Sequence, residues 1–181
     1  MAQEALVILI LVSAARLLVP LAILRWPLFG LAATIALDFY DFGVFQKTGV
    51  FPWDYYQQWD KLLDTYYLVL LLWMSKGWVD KQARTIALAL FNWRVAGVGA
   101  FLILSVLGYP FESILILTPA VFEPFFVLWI VVQRTTPRLR VARWHLAVAL
   151  AIIIAIKIAH EYSTHFGTDA EFWQRVGTIG L

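Results

Sequence analysis

The sequence predicts an all-α integral membrane protein, a bundle of six transmembrane helices that forms a single domain over residues 1–181. Hydrophobic residues make up 62% of the 181 residues and charged residues only 14%, whereas ordinary soluble domains are about one-quarter charged. The mean hydropathy is +0.78. The length suits about six helices of roughly 20 residues joined by short loops.

Six apolar segments are bounded by charges, proline or glycine, as membrane-spanning helices usually are. They lie at about Glu4–Leu24, Pro27–Phe45, Gln57–Ser75, Thr85–Leu107, Ser113–Gln133 and Ala142–Tyr162. Trp26, Trp53, Trp78 and Trp144 fall at the predicted membrane interfaces, where amphipathic rings are enriched. Arg16 interrupts the first apolar run, which argues against a cleaved signal peptide.

Basic residues are distributed unequally between the two sides of the predicted bundle. The connections after the first, third and fifth segments hold eight of them: Arg25, Lys76, Lys81, Arg84, Arg134, Arg138, Arg140 and Arg143. The opposite side holds Lys47, Lys61 and Arg175. Because basic loops remain on the cytoplasmic side, we expect both termini and the Asp38–Asp64 stretch to be extracytoplasmic, in a prokaryotic plasma membrane.

Four aspartates lie at the facing ends of the second and third segments. Asp38 and Asp41 end one segment, and Asp60 and Asp64 begin the next. Helical spacings of three and four place each pair on one helix face. Four converging carboxylates, hereafter the Asp cluster, repel one another unless a cation, a base or protonation intervenes. Oxygen ligands suit hard cations, so we expect Mg²⁺ or Mn²⁺ at this cluster.

Other ionisable side chains fall within the predicted segments, where they are costly and usually face the bundle interior. They are Arg16, Arg94, Glu123 and Lys157. Together with Asp38 and Asp64, three bases can therefore meet three acids. An Arg94–Glu123 ion pair that only holds helices together is a competing interpretation. Pro119 and Pro124 flank Glu123 and predict a kink there.

The sixth segment ends with Lys157, His160, Glu161 and His165 at helical spacing, which predicts a stripe of side chains facing the bundle. Glu161 and His165 would add to the Asp cluster. Such residues at one helix end more often solvate that end than bind zinc. A bis-His haem is disfavoured because His160 and His165 share one helix, and the absence of cysteine excludes an iron–sulfur centre held by thiolates.

The Asp cluster resembles the signature of the CDP-alcohol phosphatidyltransferase family, DxxDGxxAR, eight residues and then GxxxDxxxD. The stretch from Asp38 to Gly43 is similar to the first half, and Tyr56 to Asp64 to the second. Arg16 and Pro20 are similar to an Arg and a Pro of the family's first helix. Phe42, Gln46-Lys47 and Tyr56 stand where the family has Gly, Ala-Arg and Gly.

The resemblance implies six membrane helices and a transferase of phospholipid metabolism. It implies that Asp38, Asp41 and Asp60 bind two divalent metal ions, which hold the diphosphate of a CDP-linked lipid. Asp64 would be the catalytic base that deprotonates the acceptor alcohol, and it joins the metal-ligand candidates. Arg16, Lys47, Arg94, Glu123, Lys157, Glu161 and His165 are candidates for substrate contacts or ion pairs.

Two other functions fit the same residues. The acids and Lys157 are compatible with a path for protons or cations through a small transporter. A structural or accessory subunit would use the buried charges only to assemble helices. We expect membrane lipid and no nucleic acid as a partner, and the sequence is compatible with a homo-oligomer or a larger membrane complex.

Overall fold

The computed structural model describes residues 2–48, 53–109, 114–135 and 142–166. These residues form helices and short connections without a β-strand, which confirms the predicted all-α fold class. The elements are α1 (Ala2–Leu18), a 3₁₀ helix (Val19–Leu24), α2 (Pro27–Thr48), α3 (Trp53–Ser75), α4 (Lys81–Val106), α5 (Ile114–Leu117), α6 (Phe122–Thr135) and α7 (Arg143–Phe166).

Four segments within the described residues are long and apolar enough to cross a membrane. They are Leu6–Leu24, Pro27–Phe45, Lys81–Val106 and Ile114–Thr135, and they match the first, second, fourth and fifth predicted segments. The third and sixth predicted segments coincide with α3 and α7. α7 contains a shorter apolar stretch, Trp144–His160, and the first half of α3 carries charged residues. The chain is therefore an integral membrane protein.

The described residues separate into two compact units. Residues up to 74 form the first unit, with α1, the 3₁₀ helix, α2 and α3, and residues from 75 onward form the second, with α4 to α7. The single domain predicted over residues 1–181 stays a prediction.

In the first unit, α2 packs closely on the 3₁₀ helix that follows α1. Gly30 makes this approach possible, because a Cβ at this position would lie 2.3 Å from the backbone nitrogen of Ile23. Ile23 and Leu31 are buried at the contact, whereas Leu6 and Leu11 of α1 are exposed. Exposed leucines on a spanning helix are suited to lipid contact.

In the second unit, the fifth predicted segment is interrupted between α5 and α6, over residues 118–121. Pro119 lies in the interruption, and Pro124 lies in the first turn of α6, where proline is tolerated. The buried guanidinium of Arg94 donates to the carbonyl oxygens of Thr118 (2.7 Å) and Leu115 (3.5 Å). Arg94 thus satisfies the carbonyl of Thr118 at the end of the helix and adds a second donor to the carbonyl of Leu115, which also accepts from the backbone N–H of Thr118 (3.2 Å).

Substituting Gly97 with alanine is expected to destabilise the second unit by about 1–3 kcal/mol, as overpacking of a close contact does. A Cβ at Gly97 would lie 1.7 Å from Oγ1 and 2.5 Å from Cβ of Thr118. Rotation of the hydroxyl does not relieve the second contact, because the Cβ is fixed to the backbone. Gly99→Ala is the matched control, since its added Cβ meets nothing within 4 Å. The comparison is made by thermal unfolding in detergent, and equal midpoints for the two variants would contradict the proposed contact.

Candidate functional site

The first unit contains a cluster of charges at which α1, α2 and α3 meet, and it is largely buried except at Asp38, whose side chain is 37% exposed. Its centre is Arg16, whose side chain is only 2% exposed. The Asp cluster surrounds it, with Asp38 and Asp41 from α2 and Asp60 and Asp64 from α3. The four predicted aspartates therefore converge, and a base from α1 lies among them.

The position of Arg16 follows from how α1 ends. The α-helix ends at Leu18 and continues as a 3₁₀ helix that contains Pro20. Pro20 has no backbone N–H, so it cannot donate the α-helical hydrogen bond to the carbonyl of Arg16 four residues earlier. The tighter 3₁₀ geometry thus begins at Val19, three residues after Arg16. The carbonyl of Leu17, which lies between these residues, accepts a hydrogen bond from the hydroxyl of Tyr66 of α3 (3.1 Å).

The guanidinium of Arg16 contacts all four carboxylates. Its Nη1 donates to Asp38, and its Nη2 donates to Oδ1 of Asp60 (2.7 Å) and Oδ1 of Asp64 (3.4 Å). Its Nε lies 3.2 Å from Oδ2 of Asp41. A planar group with several fixed donors suits such multiple contacts. Arg16 therefore links α1 to both α2 and α3.

Lys61 provides a second positive charge. Its Nζ donates to Oδ2 of Asp60 (2.7 Å) and to Oδ2 of Asp64 (3.2 Å). Asp60 and Asp64 therefore each direct one carboxylate oxygen to Arg16 and the other to Lys61.

Asp41 is the most buried of the four acids, at 1% exposure. Its Oδ1 accepts a hydrogen bond from the hydroxyl of Tyr56 (3.1 Å). Its Oδ2 has no hydrogen-bond donor among the described residues, although Nε of Arg16 is near. A buried carboxylate oxygen without a hydrogen bond is costly in a membrane protein, where no bulk water can compensate for it.

Aromatic rings border the cluster near Asp41 and Tyr56. The ring of Tyr56 lies 6.1 Å from that of Phe42 and 5.7 Å from that of Phe45. Phe45 and Trp59 meet edge to face at 5.3 Å, and the guanidinium of Arg16 lies 5.8 Å from the centre of the Trp59 ring. This aromatic border lowers the local dielectric and strengthens the charge interactions beside it.

The contacts of the cluster join four carboxylates to two basic side chains, a formal excess of two negative charges among these described groups. Asp38, Asp60 and Asp64 each offer an oxygen within 4.8 Å of the other two. Carboxylate oxygens at this separation fit Mg²⁺ or Mn²⁺, and the formal charge excess agrees with that fit. Arg16 and Lys61 engage the same carboxylates, so a divalent ion would compete with them.

The remaining predicted residues are distributed as follows. Lys47 lies near the end of α2, and Glu161 and His165 lie in α7, but their side chains are outside the described part of the structure. Lys157 is half-buried in α7, and Glu123 is half-buried in the first turn of α6. Arg94 donates to the carbonyls of the helix interruption described above, and the Arg94–Glu123 ion pair stays a prediction.

The sequence patterns did not predict Lys61 or the aromatic residues as parts of the cluster. Lys61 lies next to Asp60 and three residues before Asp64, a spacing at which side chains on a helix meet. The position of Lys61 beside Asp64 could therefore have been predicted from the sequence. The hydrogen bond from Tyr56 to Asp41 joins two helices and carries no such local signal.

No family model, curated protein or solved structure matches this chain. Its function must therefore be inferred from the chemistry of its own residues.

Replacing Tyr56 with phenylalanine is expected to destabilise the first unit by about 1–2 kcal/mol, the cost of leaving a buried acceptor without its donor. The variant removes only the hydroxyl that donates to Asp41 and keeps the ring packed against Phe45. Tyr55→Phe is the matched control, because the side chain of Tyr55 is exposed. Unfolding midpoints in detergent provide the measurement, and a Tyr56→Phe variant as stable as the control would show that the hydrogen bond contributes nothing.

Proposed function

We propose that this chain is a membrane enzyme that uses a divalent cation to transfer a phosphatidyl-type group, as its resemblance to the CDP-alcohol phosphatidyltransferases implies. The observation that carries the proposal is the convergence of the four aspartates. Asp38 and Asp60 are 22 residues apart in the sequence, yet their oxygens and one of Asp64 lie within 4.8 Å of one another. Among the described groups, the four carboxylates exceed the charges of Arg16 and Lys61 by two, which equals the charge of one divalent ion.

In this proposal Asp38, Asp60 and Asp64 hold Mg²⁺ or Mn²⁺, and Asp41 supports them through Arg16. The bound ion would supply charge neutralisation for the diphosphate of a CDP-linked lipid. Asp64 would accept the proton of the acceptor hydroxyl. At the same time the hydroxyl oxygen would bond to the phosphorus of the phosphatidyl group, and the bond from that phosphorus to CMP would break. Arg16 would hold the carboxylates at fixed separations while this occurs.

The test is CMP release by the purified chain in detergent with CDP-diacylglycerol, a panel of small alcohols and either Mg²⁺ or Mn²⁺. We expect release that needs both the acceptor and the cation, and that stops when the cation is chelated. The unfolding midpoint, measured before and after chelation, also reports whether the cation stabilises the fold. If the cation binds but no CMP is released with any acceptor, the enzyme proposal fails and the cation site stands.

A second candidate is a cation- or proton-coupled transporter. It is favoured by the distribution of basic residues, which predicts that the Asp cluster faces away from the cytoplasm, whereas CDP-linked lipids are cytoplasmic. Cation-dependent uptake into proteoliposomes that hold the chain, compared with empty vesicles, tests this function. No difference between the two would remove it.

Sidedness separates the two candidates. Because the chain lacks cysteine, single cysteines at Thr48 and Thr136 in turn can be labelled in cells with a membrane-impermeant reagent. Labelling of Thr136→Cys from outside would place the cluster on the cytoplasmic side, as the enzyme proposal requires. Labelling of Thr48→Cys from outside would favour the transporter.

A further inference from the structure

Lys61 occupies carboxylate oxygens that a divalent ion would need. We propose that Lys61 is an internal counter-cation that competes with the divalent ion for Asp60 and Asp64 and leaves them when the ion binds. This inference rests on the cation site of the proposed function and gives one residue control over it.

Every carboxylate oxygen of Asp60 and Asp64 already contacts a basic side chain. Asp60 and Asp64 each have one oxygen bonded to Arg16 and the other bonded to Lys61. Both belong to the three carboxylates that lie close enough to share an ion. Each oxygen has a second lone pair, but an ion bound by Asp60 and Asp64 would repel the positive charges of both bases at this short range, so it competes with them for the two carboxylates.

Arg16 and Lys61 differ in exposure and in the helices that they contact. Arg16 is 2% exposed and contacts carboxylates of two different helices, so its displacement would break the charge contacts of α1 with both α2 and α3. Lys61 is 16% exposed, and these two contacts of its ammonium lie within α3. A compact charge on a flexible four-carbon chain also moves more readily than a guanidinium held at several points. Lys61 is therefore the base that yields to the ion.

The test measures Mn²⁺ binding directly, by the electron paramagnetic resonance signal of free Mn²⁺, for the purified full chain in detergent. Removing the competing charge in Lys61→Gln is expected to tighten Mn²⁺ binding about tenfold, a typical effect of a partly buried charge contact. Lys81→Gln is the matched control, because Lys81 is an exposed lysine of the second unit, and its Mn²⁺ affinity is expected to equal that of the wild type. Unchanged or weaker binding by Lys61→Gln would overturn the inference.

A measurement on the unaltered chain guards against an effect of the substitution on folding. The acylation rate of Lys61 by an amine-reactive ester, followed by mass spectrometry, is expected to rise several-fold when Mn²⁺ is added, while that of Lys81 stays constant. A rate that is unchanged or lowered by Mn²⁺ would overturn the inference while the cation site stands. Failure of both the wild type and Lys61→Gln to bind Mn²⁺ would overturn the site itself and the inference with it.

Discussion

Replacing Arg16 with glutamine is expected to cost about 3–5 kcal/mol of stability, the effect of removing one partner from a buried charge network. The substitution leaves four carboxylates around a position that previously held their shared cation. Glutamine can donate hydrogen bonds but carries no charge, so repulsion among the carboxylates is no longer offset at the centre. The measurement is the midpoint of thermal unfolding in detergent, together with the yield of monodisperse protein.

Arg25→Gln is the matched control, because Arg25 is an exposed arginine of the same unit, just after the 3₁₀ helix. We expect its midpoint to stay close to that of the wild type. A second variant distinguishes charge from packing: adding Asp38→Asn to Arg16→Gln removes one of the repelling charges and should recover part of the lost stability. An Arg16→Gln variant as stable as Arg25→Gln would show that the cluster does not need its central base.

The Asp cluster was predictable because its signal is local. The spacings of Asp38 with Asp41 and of Asp60 with Asp64 put each pair on one helix face, and the two helices follow one another in the chain. The two pairs therefore had to lie at facing ends of neighbouring helices. The structure brings them together as expected.

The central position of Arg16 was not predictable in the same way. A count of residues along the first segment places Arg16 near mid-depth and Asp38 and Asp64 nearer the membrane boundary. The count ignores the long side chain of arginine, which carries its charge away from its own backbone position. It also ignores the change to a 3₁₀ helix near Pro20. Which base meets which acid is decided by packing of α1 against α2 and α3, and periodicity within one helix does not report that packing.

Arg94 shows the same limitation in the second unit. In the structure its guanidinium donates to the carbonyls of Leu115 and Thr118, contacts that charge balance does not predict. The kink predicted from Pro119 and Pro124 takes the form of an interruption over residues 118–121. An interrupted helix presents carbonyl groups that need donors, and a buried arginine on the neighbouring helix satisfies them. Sequence patterns identify the charged residues, whereas backbone breaks decide what those residues bind.

Replacing Asp64 with asparagine is expected to lower CMP release by about 10²–10⁴-fold, the usual contribution of a general base. The amide keeps the shape of the side chain but cannot accept the proton of the acceptor alcohol. Asp64 lies 3.4 Å from Arg16 and 3.2 Å from Lys61, whereas Asp60 lies 2.7 Å from each. Asp64→Asn should therefore disturb the charge network less than Asp60→Asn and weaken Mn²⁺ binding less.

The comparison of Asp64→Asn with Asp60→Asn tests whether Asp64, proposed above as one of the ligands of the ion, also acts as the base. A base is indicated if Asp64→Asn loses turnover while it keeps most of its Mn²⁺ affinity, and if Asp60→Asn loses both. Asp80→Asn is the control for an amide outside the cluster, because Asp80 caps α4 through hydrogen bonds from the backbone N–H groups of Gln82 and Ala83, and asparagine caps helices equally well. Wild-type turnover in Asp64→Asn would remove the base assignment. Equal loss of turnover and of Mn²⁺ binding in both cluster variants would make Asp64 a ligand only, and the proton acceptor would then have to be another group of the cluster.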